Sequence, residues 1–208
     1  ENGKIKLIGK EEVEKKLKIN FDKKTILVSY HSVTTVSRIE NIFQFKQVLD
    51  ALNLYKKYNI IFTSPNIDPG NTDILKMIKK FIVKNKNSYF FKSLGQKLFF
   101  SVVKISDIFI GNSSSGILEV PFLEIPVLNI GNRQKGRFQF IKVFESIPQK
   151  KAIINHIDNI LKEKIKKNKL KLKFKKNASS LIAKNIIKNL KNKKYIYKKN
   201  KIFYNLNF

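Results

Sequence analysis

Two polar stretches hold most of the side chains in this 208-residue chain that could do chemistry. The first is Gly111-Asn112-Ser113-Ser114-Ser115-Gly116-Ile117-Leu118-Glu119; the second runs from Asn129 to Arg137 and contains Arg133 and Arg137. The first stretch follows an apolar run, Ile105 to Ile110, that reads as a buried strand. Glycine and hydroxyl residues then open a helix. A turn of that kind aims backbone N–H groups and hydroxyls at one point, which suits an anion. Glu119 adds an acceptor for vicinal hydroxyls, and an arginine fork matches a phosphate. Arginine occurs only at Arg38, Arg133 and Arg137 in a chain otherwise dominated by lysine, so its use at two positions here is informative. Each residue also has a plainer reading. Ser113 and Ser114 could be helix caps. Glu119 could be a capping-box glutamate, but it stands four residues from Ser115 rather than three. Arg133 and Arg137 could be solvated surface charges.

These side chains need a scaffold, and the hydrophobic pattern supplies one. The spacing predicts a short charged helix over Glu11–Lys18 and strands over Thr25–Tyr30, Asn59–Thr63, Tyr89–Phe91, Ile105–Ile110 and Val127–Ile130. Helices fall over Arg38–Tyr58, Thr72–Val83, Gln96–Lys104, Ser115–Leu123, Ile153–Ile165 and Ser179–Leu190. Strands alternating with helices give an α/β fold, a Rossmann-like parallel sheet with helices on both faces. Ligands of such sheets bind beyond the carboxyl ends of the strands. His31 stands there after the first strand, Asn66 and Asp68 after the second, Lys92 and Ser93 after the third, Ser113 to Gly116 after the fourth, and Arg133 after the fifth. His31 could donate to a phosphate or move a proton near neutral pH, or be a satisfied structural histidine. His156 lies in a helical pattern and reads as structural. Asp68 and Gly70 read as turn-shaping, and Phe91 as core. No Gly-x-Gly-x-x-Gly follows the first strand and no Gly-Lys-Ser/Thr loop is present, which argues against a dinucleotide or P-loop site.

Composition narrows the classes. A hydrophobic content of 42% supports one domain with a real core. There is no run of about 18 apolar residues that would span a membrane. The first 18 residues are charged and hold no signal-peptide core, and cysteine is absent, which rules out thiolate metal sites and fits the cytoplasm. The formal net charge of +28 invites a nucleic-acid reading. The lysines, however, are spread along the chain as AT-rich coding would spread them, and no arginine cluster or aromatic ladder accompanies them.

Taken in order, His31-Ser32-Val33-Thr34-Thr35, Phe62 to Gly70, Ser93-Leu94-Gly95, Asn112 to Glu119 and Asn129 to Arg137 resemble the C-terminal half of the hydrolysing UDP-N-acetylglucosamine 2-epimerases. The resemblance covers nearly the whole chain, and Lys201-Ile202-Phe203-Tyr204 resembles that family's usual ending. It implies the glycosyltransferase-B arrangement, two Rossmann-like halves with substrate between them. It implies elimination of UDP, water addition and inversion at C2. The products would be UDP and N-acetylmannosamine or a related 2-epimeric N-acetyl sugar, feeding sialic-acid-type biosynthesis. No metal or redox cofactor is implied. Ser113 and Ser114 resemble the diphosphate-binding serines, with Gly116 in the same turn. Glu119 resembles the ribose-binding acid, and Arg133 with Arg137 the substrate-contacting arginines. His31, Asn66 and Ser93 fall at further substrate-contacting positions, His31 near the departing UDP as the catalytic candidate. Ser32 stands where the family commonly has proline.

The family's N-terminal half, which carries its main acid/base carboxylates, is not in this sequence. The expected organisation is a linker helix over 1–20, a UDP-binding domain over 21–190, and a basic aromatic tail over 191–208 that packs back on a domain. The expected partners are a UDP-sugar, the missing half or a subunit, and further copies of the chain in a homo-oligomer. Neither a membrane nor nucleic acid is expected. The alternatives are a non-catalytic UDP-binding fragment, half of a glycosyltransferase, and a basic nucleic-acid binder.

Overall fold

The structure, a computed structural model, describes residues 6–137, 139, 143–162 and 178–191. The chain divides into two units, Glu1–Lys169 and Leu170–Phe208.

The first unit is a six-stranded sheet. In chain order its elements are α1 (Lys10–Leu17), β1 (Thr25–Ser29), α2 (Arg38–Leu52), β2 (Asn59–Thr63), α3 (Asn71–Lys84), β3 (Ser88–Phe91) and α4 (Gly95–Ile105). They continue with β4 (Ile108–Gly111), α5 (Ser115–Leu118), a 3-10 turn (Val120–Leu123), β5 (Val127–Ile130), β6 (Phe144–Ser146) and α6 (Lys150–Lys162). The sheet order is β3-β2-β1-β4-β5-β6, and every neighbouring pair is parallel. The short strands are nearly continuous apolar runs because helices cover both faces.

Alternation divides the strand residues between two cores. Ile26, Val28, Ile60, Phe62, Ile108, Ile110, Leu128 and Ile130 face α2, α3 and α6. Leu27, Ile61, Phe109 and Val127 face α1, α4, α5 and the 3-10 turn. The segment read as a linker helix is packed into the second core through Val13. The Ile8 amide donates to Ser101 Oγ at 3.0 Å and the Phe21 amide to Glu14 Oε1 at 2.8 Å.

The strand order reverses at β1, since β2 lies on one side of it and β4 on the other. The chain therefore leaves β1 and β4 in diverging directions and opens a crevice at their carboxyl ends.

The α/β class and parallel sheet agree with the sequence reading, and several boundaries differ from it. Ile105 closes α4 instead of opening a strand, and Ser106 turns the chain, its hydroxyl donating to Val102 O at 2.7 Å. The helix expected over Ser115–Leu123 breaks after Leu118. Glu119 leaves helical geometry (φ −125°, ψ −51°) and a 3-10 turn holding Pro121 follows. The helix from Arg38 stops at Leu52, short of Tyr58, and β6 is a sixth strand. The second unit is described over α7 (Ala178–Lys191), whose Leu181, Ile182, Ile186, Ile187 and Leu190 are exposed. The expected packing of the 191–208 tail lies outside the described residues, as does the end of the Ile153–Ile165 helix.

Candidate functional site

The site begins where β1 and β4 end side by side, with Ser29 in register with Gly111. Gly111 has φ +143°, and a Cβ there would stand 1.9 Å from Ser29 O. Only glycine lets β4 turn at this point, and the turn delivers Asn112 under the end of β1. Asn112 is wholly buried. Its Oδ1 accepts from the His31 amide at 2.8 Å, and its Nδ2 donates to His31 O at 2.8 Å.

His31 is 6% exposed. Its Nδ1 accepts from the Asn66 amide at 3.0 Å, so the proton of the neutral ring sits on Nε2. Burial, helped by the nearby Arg133 guanidinium and opposed by Asp68, pushes the imidazole down from 6.5 to about 4. At neutral pH His31 is therefore an uncharged ring whose Nε2–H can donate.

Arg133 reaches the same place from the loop after β5. Its Nη1 donates to Asn112 O at 3.2 Å, and its Nη2 lies 3.6 Å from Asp68 Oδ2. Gln134 is buried beside it and donates from Nε2 to the same Asn112 carbonyl at 2.7 Å. His31, Asn66, Asp68, Asn112, Arg133 and Gln134 thus form one network drawn from four loops.

Ser113 and Ser114 follow directly on Asn112. Ser113 is buried and its Oγ accepts from the Ser115 amide at 3.4 Å; the Ser114 carbonyl receives the Ile117 and Leu118 amides. Among the described residues the Ser113 and Ser114 amides donate to no protein acceptor. Gly116 is where this turn meets the sheet. A Cβ there would lie 3.0 Å from Phe109 Cε1 and 3.3 Å from Val127 Cγ1, so its bare Cα sets how low the turn sits.

The remaining candidates are not tied to the network. Glu119 is exposed at the end of α5 and makes no ion pair among the described residues. Arg137 is exposed, its amide donating to Gln134 O at 3.2 Å. Ser93 is exposed beyond the edge strand β3, where its Oγ accepts from the Gly95 amide at 3.3 Å. Arg38 forms a two-bond pair with Asp73, 2.6 and 2.8 Å, in a cleft with Val33, Thr34, Pro69 and Gly70. Sequence reasoning did not single out Asn112 or Gln134 as site residues. The available signal was a polar amide directly after a buried strand. Among the described residues no group of three or more His, Asp or Glu gathers as a metal site would require, and no helix is long and apolar enough to cross a membrane.

The chain is similar to known proteins over most of its length. The family model described as UDP-N-acetylglucosamine 2-epimerase matches residues 4–190. A GDP/UDP-N,N'-diacetylbacillosamine 2-epimerase (hydrolyzing) of Campylobacter jejuni is 35% identical over 144 residues, covering 68% of this chain and 37% of that protein. The polysialic acid biosynthesis protein P7 of Escherichia coli is 33% identical over 180 residues, covering 83% of this chain and 45% of that protein. The chain thus spans less than half the length of these relatives. Among solved structures, an S. aureus MnaA–UDP co-structure has a TM-score of 0.59 at 18% identity, covering 94% of this chain and 52% of that one. The UDP-GlcNAc 2-epimerase of Neisseria meningitidis bound to UDP-GlcNAc has a TM-score of 0.57 at 18% identity, covering 86% and 48%. These likenesses carry the fold, one half of a glycosyltransferase-B arrangement.

Proposed function

The chain belongs to the UDP-N-acetylglucosamine 2-epimerase family, and on that premise we propose that it is the nucleotide-binding half of a hydrolysing UDP-sugar 2-epimerase. The observation that carries the reading is the joining of His31 and Arg133 through Asn112, beside the Ser113–Ser114 turn and at the point where the strand order reverses. The Ser113 and Ser114 amides and hydroxyls, the Arg133 guanidinium and the His31 Nε2–H are the donors this rim can offer a diphosphate.

In this proposal Ser113 and Ser114 receive the diphosphate, with Gly116 allowing their turn to sit low. Arg133 and Arg137 neutralise its charge. Glu119 accepts from the ribose hydroxyls, and Asn66 and Ser93 border the bound sugar nucleotide. The substrate is a UDP-linked 2-acetamido sugar. A base in the other half removes the C2 proton while the C1–O bond breaks and UDP departs. Water then adds its hydroxyl to C1 as a proton returns to C2 on the opposite face. The products are UDP and the free 2-epimeric N-acetyl sugar, N-acetylmannosamine when the substrate is UDP-N-acetylglucosamine. His31 serves the departure step as a donor. Its Nδ1 is occupied by the Asn66 amide and its basicity is depressed, so its Nε2–H stabilises negative charge on the leaving diphosphate. The main acid/base carboxylates belong to the other half. Alone, the chain is a UDP-binding module.

Calorimetric titration with UDP at moderate salt tests the reading, with ADP and pyrophosphate as controls. We expect UDP to bind more tightly than either, and Glu119→Ala to remove the preference over pyrophosphate. Equal binding of all three anions, unchanged in the variant, would sink the proposal.

A further inference from the structure

We propose that Asn112 is the positioning residue of this site, holding His31 and Arg133 in one frame so that both address the same anionic group; the second clause rests on the nucleotide-binding reading above. Asn112 touches the backbone of one partner and the side chains of two others. Its carboxamide closes two antiparallel hydrogen bonds with the backbone of His31, 81 residues away in sequence. Together they form a further rung of the β1–β4 ladder, made by a side chain one residue beyond the Gly111–Ser29 pair. The backbone of His31 is thereby fixed on both its donor and its acceptor. With the backbone placed in this way, the ring meets the Asn66 amide through Nδ1, the bond that sets its tautomer.

The Asn112 carbonyl oxygen takes two further donors, Arg133 Nη1 and Gln134 Nε2, which fills both its lone pairs. Arg133 is thus braced to the atom group that braces His31, and Asp68 holds the other guanidinium nitrogen at 3.6 Å.

Burial makes the arrangement specific. Asn112 is 0% exposed and Gln134 is 2% exposed, and the large majority of buried amides have their hydrogen bonds made. Gln134 satisfies half of this condition. Its Nε2 serves Asn112 while its Oε1 is buried without a hydrogen-bond partner. A side chain kept only for packing would carry no such orphan; what Gln134 supplies is its donor to the Asn112 carbonyl.

Nucleotide-free NMR and a double-mutant cycle test the proposal on the chain as it stands. The 15N spectrum of His31 is expected to show a single Nε2–H tautomer in the wild type and averaged tautomers in Asn112→Ala. UDP affinity is expected to fall about tenfold in Asn112→Ala and about tenfold in His31→Ala. The double variant should lie within about twofold of the worse single one, since residues acting as a unit are not additive. An unchanged His31 spectrum with additive losses would overturn the proposal, however far the melting temperature fell, because a merely structural residue does that. Should Asn112→Ala not fold, Gln134→Leu keeps the test alive, since it leaves the carboxamide in place and removes one brace. It should weaken UDP three- to fivefold without moving the His31 spectrum, and an affinity unchanged within twofold overturns the proposal. If wild-type chain binds no UDP, the nucleotide reading fails by itself, and the His31 spectra still decide whether Asn112 positions the ring.

Discussion

His31 shows what burial does to one residue. Its imidazole sits beside a guanidinium and under the Asn66 loop, and its affinity for protons falls from 6.5 to about 4, with burial as the larger cause. The unfolded chain therefore binds a proton between those values while the folded chain does not. Stability from this group is complete above pH 6.5, declines as the pH falls towards 4, and changes no further below that. The depression corresponds to roughly 3 kcal/mol. We expect urea unfolding to show wild type losing this much more than His31→Gln between pH 7 and pH 4, and parallel curves would refute the assignment. The residue scale also shows what a sequence conceals. His31, Ser113 and Arg133 were legible because a histidine, hydroxyls or a rare arginine at a strand end suggest chemistry by type alone. Asn112 and Gln134 were not, because an amide's role depends on which backbone it meets. Here those backbones lie 81 and 22 residues away.

Among elements, the serine turn is only as well placed as the strand and sheet beneath it allow. Gly111 and Gly116 set this in different ways. Alanine at Gly111 would drive Cβ into the Ser29 carbonyl at 1.9 Å, in a backbone conformation alanine disfavours. The two central strands could not stay paired, and we expect Gly111→Ala to show no cooperative unfolding transition. At Gly116 the obstacle is a Phe109 ring that is 1% exposed and has little room to retreat. Gly116→Ala should fold, lose about 1–3 kcal/mol, and weaken UDP binding by lifting the turn off the sheet. A urea transition and a UDP titration on the same sample check both effects, and a variant equal to wild type in both would show that the turn's height is immaterial. Element boundaries were legible where hydrophobic runs were bounded by polar residues, as for β1, β2 and β5. Elsewhere the pattern misled. The apolar run of Ile105 to Ile110 crosses a helix end, so the strand starts three residues later than the run. Pro121 falls inside what looked like one helix, and the chain there takes a 3-10 turn. β6 has three residues, two of them exposed, and is held by pairing to β5 rather than by an apolar run.

At the scale of the molecule, two features decide what the chain does, its charge and its extent. Among the described residues, the lysines behind the +28 charge are not gathered on the proposed nucleotide site. One cleft of about 350 Å³ is lined by Lys23, Lys56, Lys84 and Lys86, and these residues lie just before β1, β2 and β3, at the rim opposite His31. UDP affinity should therefore fall by less than about tenfold between 50 and 200 mM salt, whereas binding through many phosphate contacts would fall about 10³–10⁵-fold. The chain's extent bears on turnover. It spans 37% and 45% of the two curated relatives compared above, and its described site offers phosphate and hydroxyl ligands, an Asp68 carboxylate engaged by Arg133 and, as a free base, a weakly basic His31. A base of that strength is poorly suited to taking a proton from carbon. The chain alone is thus expected to bind UDP and release none from UDP-N-acetylglucosamine. Fusion to the N-terminal half of a relative should restore release, and in D₂O the free sugar should carry one deuterium at C2, because the original C2 proton is lost in the elimination and its replacement comes from solvent. Sugar released without deuterium would exclude elimination across C1–C2, and full turnover by the unfused chain would show that the acid/base groups lie within these 208 residues after all.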